Sequence, residues 1–426
     1  MPRNIDRVKS PDRRAFALLA LLTCLNVLSW IDRQIIPALA PLLMAELGLT
    51  SAQIGLLYGY AFILCFILAG TVLGTLADRL HRPRLIAAGL AVWSIFTGLS
   101  GLARSFAHLA GARVLVGVGE ATLTPAALAM LSDVFPGHWR ARAAGVFAVG
   151  LPIGSGLSLI VAGILAPRYG WRSCFLVLGT LGVLAASVVA MVPEVERRYA
   201  PRQARAAQRA PQHPFRDFLR TLRHSPVLVL TIAGGVIITF STSASIHVIT
   251  WLVRERGFEF RDAAILGGGL YAVTGTIGNI SGGWWADFCA ARWRGGRLWS
   301  MVIAQVVLVP TTLLFFTSAA GSTTFYVGWV LSGLRSTIWF GPLYAAVQDL
   351  APAHARATAV AFLMLAINLL GGGPGPWLAG TIGDRWTLSL GLVVTTLIGV
   401  LAIVPFAMAA RAFRTLPTEA GRASST

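Results

Sequence analysis

Long apolar stretches follow one another along the whole chain, separated by short polar connections, and they are continuous rather than alternating with period two. A helix that crosses a bilayer needs about 20 predominantly apolar residues. Twelve runs reach that length: 16–44, 52–77, 84–103, 107–134, 141–166, 172–193, 227–253, 262–286, 298–319, 323–349, 355–381 and 387–411. Hydrocarbon offers the backbone no hydrogen-bonding partner, so only helices and closed barrels span it, and barrel strands are short and alternating. The pattern therefore predicts an all-α polytopic membrane protein with twelve transmembrane helices. Residues 1–15 are polar, and the first run is too long for a cleaved signal peptide and is interrupted by Asp32 and Arg33. It is expected to persist as a membrane helix.

Composition strengthens this picture. Of 426 residues, 56% are hydrophobic and 12% are charged, against about a quarter charged in soluble proteins, which excludes a water-soluble globule. The net charge is nevertheless +18. Nucleic-acid binding would need basic residues gathered on a soluble face, whereas here they lie between apolar runs, so no nucleic-acid partner is expected. The surplus reports orientation instead, because cytoplasmic loops carry the excess of Lys and Arg. With both termini and the even-numbered connections on one side, 25 of the 35 basic residues fall there and 7 fall opposite. Both termini are thus expected to be cytoplasmic, in a bacterial-type inner membrane.

The remaining three basic residues, Arg33, Arg113 and Arg335, lie inside runs. The connection 194–226 carries eight arginines and divides the chain into expected six-helix bundles over 1–193 and 227–426. It reads as a solvated basic linker or as a segment that binds anionic lipid. The four cysteines, Cys24, Cys65, Cys174 and Cys289, all sit in apolar segments without metal-ligand spacing. Neither a disulfide nor a metal is expected, and no cofactor.

Internal repeats sharpen the division. Asp133-Val-Phe-Pro136-Gly-His138-Trp-Arg140-Ala recurs as Asp349-Leu-Ala-Pro352-Ala-His354-Ala-Arg356-Ala, at an offset of 216. Gly74-Thr-Leu-Ala-Asp78 recurs as Gly283-Trp-Trp-Ala-Asp287, at an offset of 209. Two matches at nearly one offset indicate two homologous six-helix halves, the arrangement of a transporter whose central site opens alternately to each side.

On these residues the chain resembles a known family. The loop Gly74-Thr-Leu-Ala-Asp78-Arg79-Leu-His-Arg82-Pro-Arg84 resembles the signature loop of the major facilitator superfamily, and Arg113-x-x-x-Gly117-x-Gly119 resembles that superfamily's second motif. Trp30-Ile-Asp32-Arg33-Gln-Ile-Ile-Pro-Ala-Leu-Ala-Pro41, Leu47-Gly-Leu-Thr-x-x-Gln-Ile-Gly55 and Gly117-Val-Gly-Glu120-Ala-Thr-Leu-Thr-Pro125 resemble the spinster-like branch, proton-coupled carriers of lysolipids and sphingoid phosphates. Trp30 stands where that branch's pattern has Tyr. The Asp-Arg pair of run 1 with Arg and Glu of run 4 is also similar to the anion:cation symporters, which take up sugar acids and other organic anions with protons. The resemblance implies a secondary transporter of an organic anion or amphipathic lysolipid, with protons and membrane lipids as its other partners and a monomeric state.

Ionisable groups at mid-bilayer cost about 2.5–3.5 kcal/mol each on insertion scales and usually mark a pathway. Of the 17 acids only Asp32 and Glu120 lie well inside a run, and they are the expected proton-coupling residues. Low dielectric favours the protonated carboxyl, a nearby arginine the ionised one. An anionic substrate that engages Arg33 or Arg113 would therefore free a carboxylate to hold a proton. Arg113 and Glu120 are seven residues apart, on one helical face and about 10.5 Å apart along the axis, so run 1 is expected to supply the group between them. Arg335 falls within one turn of the repeat equivalent of Glu120 and could add positive charge from the second half. A static ion-pair network is the alternative for all five.

Gly74, Asp78, Arg79, Arg82, Arg84, Asp133, Arg140, Asp287, Asp349 and Arg356 are expected at the cytoplasmic rim as gate or conformational residues. Trp30, Tyr58, Phe62, His247 and Asn368 are weaker substrate-binding candidates, since packing accounts for any one of them equally well. Gly150-Leu-Pro152-Ile-Gly154-Ser-Gly156 and Asn368-Leu-Leu-Gly371-Gly-Gly-Pro374-Gly-Pro376 read as flexible elements or as close-packing surfaces. An enzyme would need a nucleophile with its base or a metal cluster, and seven scattered histidines supply neither. A channel would need a continuous charged or carbonyl-lined pore, which the two-half repeat argues against.

Overall fold

The computed structural model describes residues 12–77, 81–193, 214–352 and 355–414, and every regular element in them is helical. In chain order these are α1 (Arg13–Leu47), α2 (Ser51–Tyr58), α3 (Tyr60–Ala77), α4 (Arg82–Ser100), α5 (Phe106–Glu120), α6 (Leu123–Val134), α7 (Gly137–Ala148), α8 (Gly150–Tyr169) and α9 (Trp171–Ala190). There follow α10 (Pro214–His224), α11 (Pro226–Ser243), α12 (Val248–Glu255), α13 (Phe260–Arg292), α14 (Gly296–Thr317) and α15 (Thr323–Thr337). The last are α16 (Phe340–Leu350), α17 (Arg356–Ile367), α18 (Pro374–Arg385), α19 (Leu388–Val400) and α20 (Ile403–Arg414). A 3-10 turn at Ala244–His247 joins α11 to α12, and a π turn at Asn368–Gly372 precedes α18.

Among the described residues, 11 helical spans are long and apolar enough to cross a membrane. The protein is an integral, multi-pass, all-α membrane protein. The expected run missing from the 11 is 323–349, which carries Arg335 and several hydroxyl residues and is divided between α15 and α16. Large apolar side chains such as Leu68, Ile280 and Trp284 are about two-thirds exposed, as a lipid-facing surface requires.

The chain forms two compact units, Met1–Leu39 with Ala61–Ala210, and Ala40–Tyr60 with Pro211–Thr426. In the first, Leu22, Leu90, Trp93, Val116, Leu123 and Phe135 anchor one buried apolar cluster. Small residues on α8 let it close onto α1: a Cβ on Gly154 would sit 2.6 Å from that of Trp30, and Ser158 donates to the Ile31 carbonyl at 2.9 Å. The Gly150–Gly156 run is thus a close-packing surface in this structure. In the second unit, Leu228, Leu343, Val347, Leu363 and Phe406 form the corresponding core.

Residues 51–58 belong to the second unit because α2 is locked to α18. The Asp384 carboxylate accepts from the backbone N–H groups of Ser51 (2.7 Å) and Ala52 (2.9 Å), two of the donors that a helix start leaves unsatisfied. Thr50 and Gln53 complete a capping box at the same end. A Cβ on Gly55 would lie 2.7 Å from the Pro376 carbonyl carbon, so glycine permits the approach.

Several runs that hydropathy makes continuous are broken in mid-course. Run 52–77 breaks at Gly59, run 107–134 at Ala121–Thr122, run 227–253 at the 3-10 turn and run 355–381 at the π turn. Such breaks are tolerated where protein, not lipid, satisfies the freed backbone. Thr122 Oγ1, for example, donates to the Gly119 carbonyl at 2.9 Å. Within the basic connection 194–226, residues 214–224 form α10, whose Phe218 is fully buried and packs its ring 5.3 Å from that of Phe362. Residues 194–213 lie outside the described residues, as do Asp78 and Arg79, while Gly74 falls near the end of α3.

Candidate functional site

The first unit gathers four of the five intramembrane charges. Asp32 and Arg33 sit near the middle of α1, Arg113 on α5, and Glu120 at the last residue of α5, where the helix breaks. Arg33 Nε donates to Glu120 Oε2 at 2.5 Å, and Ser29 Oγ, one turn earlier on α1, donates to the same oxygen at 2.9 Å. Asp32 points the other way, and its Oδ2 accepts from Thr97 Oγ1 on α4 at 2.6 Å. Arg113 Nη2 donates to the backbone carbonyls of Asp32 (2.9 Å) and Arg33 (3.5 Å). Run 1 therefore does stand between Arg113 and Glu120, contributing carbonyl oxygens on one side and a guanidinium on the other.

Burial makes this cluster costly. Asp32, Arg113 and Glu120 are at most 3% exposed, and the Arg33 side chain is 16% exposed. Isolated charges at such depth would cost several kcal/mol each, so they must be paired or hydrogen-bonded. The two arginines and two carboxylates balance when both acids are ionised. Yet Asp32 Oδ1 and Glu120 Oε1 are buried without a hydrogen-bonding partner. An ionised carboxylate accepts at both oxygens, so each bare oxygen leaves acceptor capacity unused. The Arg33 guanidinium also lies 4.9, 5.0 and 4.5 Å from the ring centroids of Trp30, Phe62 and Phe66, contacts that hold a cation by ring quadrupoles where acids are scarce.

Four other expected residues belong to the second unit. Arg335 belongs to the second unit, where its Nη2 donates to Ser241 Oγ at 2.8 Å. His247 is fully buried, and its Nε2 donates to the Pro376 carbonyl at 2.9 Å. Asn368 opens the π turn and donates to the Met364 carbonyl at 2.8 Å. Tyr58 is half-buried at the end of α2.

Four of the expected gate residues, Arg82, Asp133, Asp287 and Asp349, lie in ion pairs. In the first unit Arg82 bonds Asp133, both largely buried. In the second, Arg297 bonds Asp349 and lies 3.1 Å from Asp287. Arg140 Nε donates to the Phe135 carbonyl at 3.1 Å, whereas Arg84 and Arg356 are exposed at the starts of α4 and α17.

Sequence reasoning missed Arg297, Ser29, Thr97 and Phe66. Arg297 had a signal: it follows Arg82 by 215 residues, almost the offset that carries Asp133 onto Asp349. Thr97 shares one face of α4 with Ser94 and Ser100, a hydroxyl every third residue, and Ser29 precedes Arg33 by one turn. Among the described residues no group of three or more His, Cys, Asp or Glu could hold a metal.

The family model described as Major Facilitator Superfamily matches residues 22–376. The chain belongs to the major facilitator superfamily. It is therefore a membrane transporter by family. An MFS-type efflux pump of Mycolicibacterium smegmatis is 30% identical over 89% of this chain and 87% of its own length. Protein spinster homolog 1 of Xenopus laevis is 26% identical over 88% of this chain and 74% of its own. The crystal structure of a bacterial homolog to the human lysosomal transporter Spinster, inward-facing and unoccupied, superposes with a TM-score of 0.84 at 23% identity, covering 95% of this chain and 98% of that one. The resemblance to the spinster-like branch read from runs 1 and 4 is thus matched by relatives that align along most of the chain.

Proposed function

We propose that this protein is a proton-coupled secondary transporter that moves an organic anion or amphipathic lysolipid by alternating access of two six-helix halves. The observation that carries the reading is the balanced cluster of Asp32, Arg33, Arg113 and Glu120, with one bare buried oxygen on each acid. Protonating either acid leaves the cluster with a net positive charge, which an anionic substrate at Arg33 neutralises. Loss of that anion favours loss of the proton, so the two travel together. The three rings around Arg33 suit an apolar tail beside an anionic head, which favours a lysolipid over a sugar acid. The rim pairs Arg82–Asp133 and Arg297–Asp349 serve as conformational latches of the two halves. The termini face the cytoplasm of a bacterial-type inner membrane, the protein acts as a monomer, and the proton gradient is its energy source.

The test is flux into proteoliposomes under an imposed pH gradient. Uptake of an oleoyl lysophospholipid should saturate and follow the gradient, and Asp32→Asn with Glu120→Gln should abolish gradient-driven accumulation. Conduction that neither saturates nor responds to the gradient would contradict the carrier mechanism.

A further inference from the structure

Arg335 is a second kind of intramembrane charge. It is 4% exposed, and among the described residues no carboxylate lies within 4 Å of it. Its Nη2 bonds the Ser241 hydroxyl, and its Nε is buried with no acceptor. The surrounding polar groups are neutral: Gln305 Nε2 donates to the Gly399 carbonyl at 3.1 Å beside it. Space has been kept for the guanidinium, because a Cβ on Gly399 would come within 2.9 Å of Nη2. A guanidinium buried this deeply without a counter-charge is costly, and a bound anion relieves that cost.

The repeat shows what is missing. The offset of 209 carries Asp32 onto Ser241, and the offset of 216 carries Gly119 and Glu120 onto Arg335 and Ser336. Where the first unit has acids at 32 and 120, the second has the hydroxyls of Ser241 and Ser336, and its cation Arg335 stands one residue before the second of these, where the first unit has Gly119.

We infer that Arg335 with Ser241 forms an anion site in the second unit, whose counter-charge is the phosphate or carboxylate of the cargo. This rests on the transport reading above and adds to it a charge requirement: the ligand must bring a negative group that the protein itself does not supply. Arg335 offers Nε and the rest of its planar fork, a geometry that fits two oxygens of one phosphate or carboxylate.

The decisive variant is Ser241→Asp, which restores the acid that the repeat places there. It should pair Arg335 internally, raise the melting temperature of the unliganded protein and weaken anion binding about tenfold or more. Arg335→Gln should weaken anion binding to a similar degree. The probes are oleoyl lysophosphatidylglycerol, glycerol 3-phosphate and glucuronate, measured by equilibrium binding to the full-length purified protein. Binding of the lysolipid alone makes the anion a lipid headgroup, and binding of glycerol 3-phosphate or glucuronate makes it a free anion; loss of that binding in both variants supports the site. If the wild type binds one of the three and both variants bind it as tightly, Arg335 is a packing residue and the inference is overturned while the transport reading stands. If the wild type binds none of them, both fall.

Discussion

The two units hold their buried charge in opposite ways. In the first, two arginines meet two carboxylates, and every cation has an acid or a carbonyl within reach. In the second, Arg335 meets a hydroxyl and, among the described residues, has no carboxylate within 4 Å. In a balanced cluster, protonating one acid leaves a single positive charge for an anion to neutralise, while the arginines still stabilise the acid that stays ionised. An unbalanced cation cannot exchange protons usefully but waits for an anion. On the proposed function, the first arrangement would serve energy coupling and the second cargo recognition.

The comparison can be broken first at its strongest link. Glu120→Gln leaves the Arg33 guanidinium without its acid, and breaking a buried pair from one side costs about 3–5 kcal/mol. The 16% exposure of Arg33 should bring the loss toward the lower figure. Thermal unfolding in detergent should show the drop, and adding Arg33→Gln should recover much of it. An unchanged melting temperature for Glu120→Gln would mean that the pair is not formed.

The rim pairs make the same contrast between buried and exposed charge. Asp133→Asn, against a largely buried Arg82, should cost about 3 kcal/mol. Asp349→Asn, whose side chain is 47% exposed, should cost below about 1 kcal/mol. Equal losses in the two variants would remove the distinction.

Thr97→Val deletes the donor to Asp32 and should cost about 1 kcal/mol. Its loss should alter the pH profile of uptake while leaving KM for substrate near its wild-type value. A changed KM with an unmoved profile would transfer Thr97 to the substrate side. The smallest effect is expected for Phe66→Ala, which removes one of three rings from Arg33 and about 0.5–1 kcal/mol with it.

The membrane architecture could be read from sequence because hydropathy over 20 residues needs no tertiary information. Asp32 and Glu120 could be read for a related reason: an acid inside an apolar run is rare enough to stand out alone. Thr97 and Ser29 could not, since hydroxyls occur throughout membrane helices, and only the packing of α1 against α4 and α5 turns these two into donors. The breaks at Gly59 and Ala121–Thr122 were hidden because both halves of each run are equally apolar. Arg335 was visible as a charge, but that no carboxylate pairs with it among the described residues is a property of its neighbours. Arg297 was legible through the repeat, 215 residues after Arg82.

The central claim is that the first-unit acids couple transport to protons. Its most direct measurement is accumulation of oleoyl lysophosphatidylglycerol in proteoliposomes with and without a pH gradient, for the wild type and for Asp32→Asn/Glu120→Gln. The account predicts gradient-driven accumulation by the wild type and, in the double variant, at most equilibration that ignores the gradient. Accumulation by the double variant at the wild-type rate and pH dependence would contradict it.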